Sequence, residues 1–218
     1  MAQQGSVIST ISRPVAKPRM ESVPNQPRRI LVGDDEYMVA TGLANMLKDL
    51  GFQVIGPATN GRSAIELCQT EQPDLALLDI RMPEVDGLEA AEHLFKALGV
   101  PVVIFSAYST PEYVAGGTAA GVFGYLLKPV DQDQLRAGIS VAWGRYSDYV
   151  NRNSEIFQLK QRLEDRKLIE QAKWIIVERK QLSEPDAMKT LQRQARNNRR
   201  PLVEVARSVI ENADLFAN

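Results

Sequence analysis

Asp34 and Asp35 stand directly after the apolar run Ile30-Leu31-Val32-Gly33, Asp79 ends Leu75-Ala76-Leu77-Leu78, and Lys128-Pro129 follow Tyr125-Leu126-Leu127. If these runs are strands of one open parallel sheet, their carboxyl ends share an edge, and ligands of such sheets bind beyond that edge. Three carboxylates and one lysine would then converge. Carboxylate oxygens suit a hard divalent cation. A carboxylate beside a cation and an ammonium suits accepting a phosphoryl group.

The elements that must position these residues are readable in turn. Apolar runs predict strands at 29–33, 52–56, 74–78, 101–105 and 122–127, separated by helices at 36–50, 61–71, 87–98, 110–120 and from 132 onward. Gly51 closes the first helix and Pro101 opens the fourth strand, both ordinary boundary chemistry. Val100-Pro101-Val102-Val103-Ile104-Phe105 is continuously apolar, as a strand covered on both faces must be. Right-handed crossovers give a flavodoxin-like, doubly wound, five-stranded parallel α/β domain. Gly116-Gly117 weaken the fourth helix, at roughly 1 kcal/mol each relative to alanine.

The 218 residues carry a net charge of −1, but unevenly. Residues 1–29 are net +4, residues 30–149 net −9 and residues 150–218 net +4. An acidic module with basic ends points to two kinds of partner, a cation and a polyanion. The single cysteine, Cys68, excludes an internal disulfide and thiolate-rich zinc clusters. His93 is the only histidine and reads as a helix-surface residue. No apolar run approaches the ~20 residues that span a bilayer, and no signal-peptide pattern opens the chain, so a cytoplasmic protein without membrane contact is expected. Residues 1–27, with Pro14, Pro18, Pro24 and Pro27 and no periodicity, read as a disordered tail.

The constellation Asp34-Asp35, Asp79-Ile80-Arg81-Met82-Pro83-Glu84-Val85-Asp86-Gly87, Ser106-Ala107 and Lys128-Pro129 resembles the receiver domain of two-component response regulators. The resemblance covers about residues 28–148, in order and spacing. It implies that Asp79 is the phosphorylated nucleophile, with Lys128 and Ser106 as its partners in phosphoryl transfer. It implies Mg2+ held by Asp34, Asp35, Asp79 and the backbone carbonyl of Arg81, and a switch pair of Ser106 and Tyr125. Pro129 is expected to follow a cis bond. The phosphoryl donor would be a sensor histidine kinase. The protein would not be an enzyme beyond its own phosphorylation and dephosphorylation.

Beyond the acidic module, residues 131–182 have almost no punctuation and predict one long helix, with residues 149–166 as a connector. A heptad places Tyr149, Ile156 and Leu163 at one core position, and Arg152, Leu159 and Arg166 at its companion. That is a weak coiled coil, which could still pair with a second copy. Ser183-Glu184-Pro185-Asp186 reads as a helix start. Leu202, Val205, Val209 and Ile210 share one face of a third helix.

Residues 167–216, with Ala172-Lys173, Ser183-Glu184, Ala187, Leu191, Ala195 and Ala206, resemble the ANTAR domain, an RNA-binding three-helix bundle of antitermination regulators. Trp174 departs from the small residue common at its position in that family. Lys173, Arg193, Arg196, Asn197, Arg199 and Arg200 are the candidate RNA contacts, because arginine pairs with phosphates and stacks on unpaired bases. The resulting expectation is a response regulator whose phosphorylation promotes dimerisation and binding of RNA stem-loops in antitermination. The competing reading is a phosphorylation-controlled protein adaptor without RNA binding. No helix-turn-helix signature supports a DNA-binding output.

Overall fold

Five strands, β1 (Arg29–Gly33), β2 (Gln53–Ala58), β3 (Leu75–Leu78), β4 (Val102–Ser106) and β5 (Val122–Leu127), pair in the order β2-β1-β3-β4-β5. Every pairing is parallel. This is the doubly wound order expected, with its topological switch between β1 and β3. The computed structural model describes residues 24–107 and 121–214. The helix expected at 110–120 lies outside the described residues. The described helices are α1 (Tyr37–Asp49), α2 (Gly61–Glu71), α3 (Gly87–Leu98), α4 (Gln132–Lys180), α5 (Glu184–Asn198) and α6 (Leu202–Asp214).

The continuous apolar runs follow from a sheet buried on both faces. Ile30, Val32, Leu75, Leu77, Val103 and Phe105 pack with Leu43 and Leu47 of α1 and Leu135 and Ile139 of α4. Their strand neighbours Leu31, Ala76, Leu78, Val102 and Ile104 turn the other way, onto Ala64 and Cys68 of α2 and Ala90 and Leu94 of α3. Burial pushes the Cys68 thiol up to about 12, so it is an inert core residue. His93 is exposed on α3. The helix starts carry their own caps. Asn60 and Ser63 form a reciprocal capping box at α2, Asp86 accepts from the Leu88 and Glu89 amides at α3, and Ser183 caps α5. Each cap meets amides that no helical carbonyl can reach.

The chain divides after Asn151 into two compact units. In the first, residues 24–27 are held where the sequence predicts only tail: Pro27 is buried, and Trp143 Nε1 donates to the Pro24 carbonyl at 2.8 Å. Residues 1–23 lie outside the description. Tyr149 also departs from expectation. Its ring meets Phe95 and Phe123 edge-on at 5.4 and 5.8 Å between centroids, so its aromatic partners are in the first unit and it does not open a free heptad. Beyond it on α4, Ile156, Phe157, Leu159 and Leu163 are exposed.

The second unit is a three-helix bundle of the end of α4 with α5 and α6. Ala172 and Ile176, Ala187 and Leu191, and Val205 and Ala206 form its core. The alanines are fully buried, which lets the helix backbones approach closely. Trp174 is 50% exposed and takes no part in this core. Among the described residues no helix is long and apolar enough to cross a membrane.

Candidate functional site

The strand register delivers the polar residues to one edge. Asp34 and Asp35 follow β1, Asp79 follows β3, Ser106 ends β4 and Lys128 follows β5. Backbone hydrogen bonds fix these ends against one another. The Asp34 amide donates to the Ala58 carbonyl (2.9 Å), the Asp79 amide to Gly33 (2.8 Å) and the Lys128 amide to Ser106 (2.9 Å). Gly87 has a steric role nearby. Its own amide donates to the Ile80 carbonyl, and a Cβ there would overlap the carbonyl of Asp79.

Asp34 and Asp79 are buried, while Asp35 is exposed. One carboxylate oxygen from each of the three lies within 4.8 Å of the others. Lys128 Nζ stands 2.6 Å from Asp34 Oδ2 and 3.1 Å from Asp79 Oδ1, and 5.1 Å from the centre of the Phe105 ring. Burial alone would press the lysine pKa down, but hydrogen bonds and charge from both aspartates hold it above the ordinary lysine value. It therefore stays an ammonium across physiological pH. The other Asp79 oxygen, Oδ2, accepts from the Arg81 amide at 3.1 Å. Asp34 Oδ1 accepts from the Glu36 amide at 3.0 Å.

Asp35, Asp79 and Lys128 border a cleft of about 190 Å³ that Glu36, Arg81, Ser106 and Ala107 also line. The donor set fits a hard cation. It is all oxygen, and three carboxylates against one ammonium leave a local charge that a divalent ion balances. Ser106 is buried at the cleft. Tyr125 is half-buried on β5, packed against the core shared with α2 and α3. The Lys128–Pro129 bond is cis. Glu36 and Phe105 escape the sequence reading, although each is the chain neighbour of a residue that the reading includes.

The basic candidates of the second unit separate into two groups. Arg193, Arg196, Asn197, Arg199 and Arg200 are exposed on α5 and just past its end. Arg199 caps the helix in the left-handed conformation, φ 50°. Arg200 reaches across to Glu204 of α6 at 3.1 Å and to Ser208 Oγ at 3.3 Å. Lys173 is not brought to them as a free cation. Its ammonium is held by Glu170 and by Glu184, the latter at 2.9 Å, and hydrogen bonds to both raise its pKa. Lys189, one turn before Arg193, is exposed and pairs with Asp186 at 3.3 Å.

Comparison with known proteins agrees with both halves. Residues 30–140 match the response regulator receiver domain, and residues 158–210 match the ANTAR domain. The transcriptional regulatory protein PdtaR of Mycobacterium tuberculosis is 36% identical over 185 residues, spanning 85% of this chain and 90% of the relative. The nitrate/nitrite response regulator protein NarL of Escherichia coli is 40% identical over 114 residues, half of this chain and 52% of the relative. Among solved structures, a CheY-like response regulator receiver domain protein from Methanospirillum hungatei superposes with a TM-score of 0.51 at 25% identity, covering 56% of this chain and 98% of the other. The two domain matches fall in order along the chain, the first over the acidic cleft at the switch edge of the β2-β1-β3-β4-β5 sheet and the second over the alanine-packed helical bundle, and the chain belongs to the response regulators that join a receiver domain to an ANTAR domain.

Proposed function

We propose that Asp79 accepts a phosphoryl group from a sensor histidine kinase, and that phosphorylation controls RNA binding by the ANTAR bundle in transcription antitermination. The observation that carries this reading is the convergence of Asp34, Asp35, Asp79 and Lys128 on one cleft. An Asp79 carboxylate oxygen forms a bond to phosphorus as the bond to the kinase's histidine nitrogen breaks, leaving an aspartyl phosphate. Lys128, already 3.1 Å from Asp79, neutralises charge on the transferring group, and charge neutralisation is the main service a protein renders to this reaction. Ser106, buried at the end of β4, donates its hydroxyl to a phosphoryl oxygen and so draws β4 toward the site. Tyr125 on β5 is the second element of that switch. Asp34, Asp35, Asp79 and the Arg81 carbonyl would hold Mg2+, which would supply further positive charge to offset that of the phosphoryl group. The protein is the acceptor of this reaction and does not process a separate substrate.

RNA binding is supported by the exposed arginines of α5. Unpaired loop bases and phosphates are what arginine recognises in RNA. Homodimerisation is supported by the exposed Ile156, Leu159 and Leu163, spaced three and four residues apart on α4, which a second copy would cover. Two ANTAR bundles so paired would meet two adjacent stem-loops at high effective concentration.

The cation assignment has a direct test. Asp35 is exposed and caps nothing by its side chain among the hydrogen bonds seen at α1, so Asp35→Ala should fold normally. Loss of a ligand should cost at least the about 10- to 100-fold that loss of a ligand's supporting partner costs. Phosphotransfer from acetyl phosphate, followed by radiolabel at fixed Mg2+, should fall by that factor. Undiminished transfer in Asp35→Ala, or full transfer in excess chelator, would reject the assignment.

A further inference from the structure

Between Asp79 and Gly87 the chain makes a tight loop whose middle residue, Glu84, sits at φ 66°. Residues with a side chain, asparagine and aspartate aside, avoid that left-handed region, so contacts must hold Glu84 there. Those contacts come from the start of α2. Arg62 Nε donates to Glu84 Oε2 at 3.2 Å, and Asn60 Nδ2 donates to Glu84 Oε1 at 3.4 Å. The backbone beneath is joined as well: the Gly61 amide donates to the Val85 carbonyl at 3.1 Å, and the Val85 amide to Pro83 at 2.8 Å. Gly61 is buried, and a Cβ there would overlap the Val85 carbonyl oxygen and carbon. Only glycine lets α2 approach this closely.

The same loop carries Arg81. Its amide donates to the Asp79 carboxylate, and the residue borders the cleft. We propose that Asn60, Gly61, Arg62 and Glu84 form a clamp that positions the β3–α3 loop, and with it Arg81 and the Asp79 carboxylate, for cation binding. These are positioning residues. None of them lines the cleft. The inference rests on the reading of the three-carboxylate cluster as the cation site. It concerns how that site is held, which the carboxylates themselves do not determine.

The clamp has two strengths. Its side-chain part is solvent-exposed, with Arg62 and Glu84 at 66% and 54%, so it is worth little alone and is screened by salt. Its backbone part is enclosed, because the Gly61–Val85 contact leaves no space for a side chain.

The test is a Mg2+ titration of the full chain with no phosphoryl donor present, followed by amide chemical shifts of Asp34, Asp35, Asp79 and Arg81, beside thermal melts of the metal-free protein. Glu84→Ala should raise the Mg2+ Kd about 2- to 5-fold, the range an exposed ion pair can supply, with the metal-free Tm little changed. The exchange Arg62→Glu with Glu84→Arg should recover most of the affinity, which a role in packing alone would not produce. Gly61→Ala should raise the Kd by at least about tenfold, since the loop backbone must move. An unaltered Kd in Glu84→Ala and in a folded Gly61→Ala would overturn the clamp, as would a lowered Tm with an unaltered Kd. Absence of any Mg2+-dependent shift in the unsubstituted protein would overturn the cation reading and the clamp together, a result distinct from either of those.

Discussion

Asp79→Asn is expected to abolish labelling by acetyl phosphate or kinase while leaving the fold in place. The substitution is nearly isosteric. The side-chain carbonyl can still accept from the Arg81 amide, which the native Oδ2 does at 3.1 Å. What is lost is the anionic oxygen that must bond to phosphorus, and an amide nitrogen is no substitute nucleophile. Removing one of two buried carboxylates beside Lys128 also relieves a cluster of like charge, so the thermal midpoint should hold or rise. Intact-mass measurement after acetyl phosphate treatment should show no phosphoryl adduct above background. A stable, stoichiometric adduct on another carboxylate would place the acceptor elsewhere.

The second large effect belongs to the arginines of α5. Arg193 and Arg196 are exposed, and Arg199 stands at the helix end. Changing all three to glutamine removes charge without emptying the Ala187–Leu191 core. Affinity for a hairpin RNA should fall by on the order of 10- to 100-fold at moderate salt. The slope of log affinity against log salt should flatten by about 2, because each phosphate contact to a single strand contributes about 0.7. Lys173→Gln makes the contrast. With its ammonium committed to Glu170 and Glu184, it should change RNA affinity little, and because both carboxylates are about half exposed it should lower stability only slightly. Filter binding across a salt series, with melts on the same samples, separates the two. Unchanged affinity in the triple variant would reject this face and favour a protein-binding output.

The difference between Lys173 and the α5 arginines marks where sequence reading stops. Glu170, three residues away, was a visible helical neighbour, but Glu184 comes from the next helix and depends on how α4 and α5 pack. Trp143 and Pro24 are 119 residues apart in the chain, so the hold on residues 24–27 had no local sign. Tyr149 fitted a heptad by spacing alone, and only the fold shows Phe95 and Phe123 beside it.

What was legible has a common cause. The central strands β1, β3 and β4 are buried on both faces along nearly their whole length, so they are apolar whatever their partners, and their ends mark the sheet edge. Asp34, Asp79 and Lys128 could be placed together because parallel topology leaves them nowhere else to be. The length of α4 was legible from the lack of glycine and proline after Gly144. The clamp at Glu84 was not, since a glutamate in a loop has no pattern to betray a left-handed backbone.

Titration of a two-hairpin RNA with unphosphorylated and phosphorylated protein tests most directly whether Asp79 governs the ANTAR bundle. Both forms would come from one preparation, with Asp79→Asn carried through the same phosphorylation treatment as the control. The account predicts tighter binding by the phosphorylated form and a dimer in the complex, with no gain when the RNA carries one hairpin and none in Asp79→Asn. Equal affinity of both forms for the two-hairpin RNA, or RNA binding by neither, would contradict it.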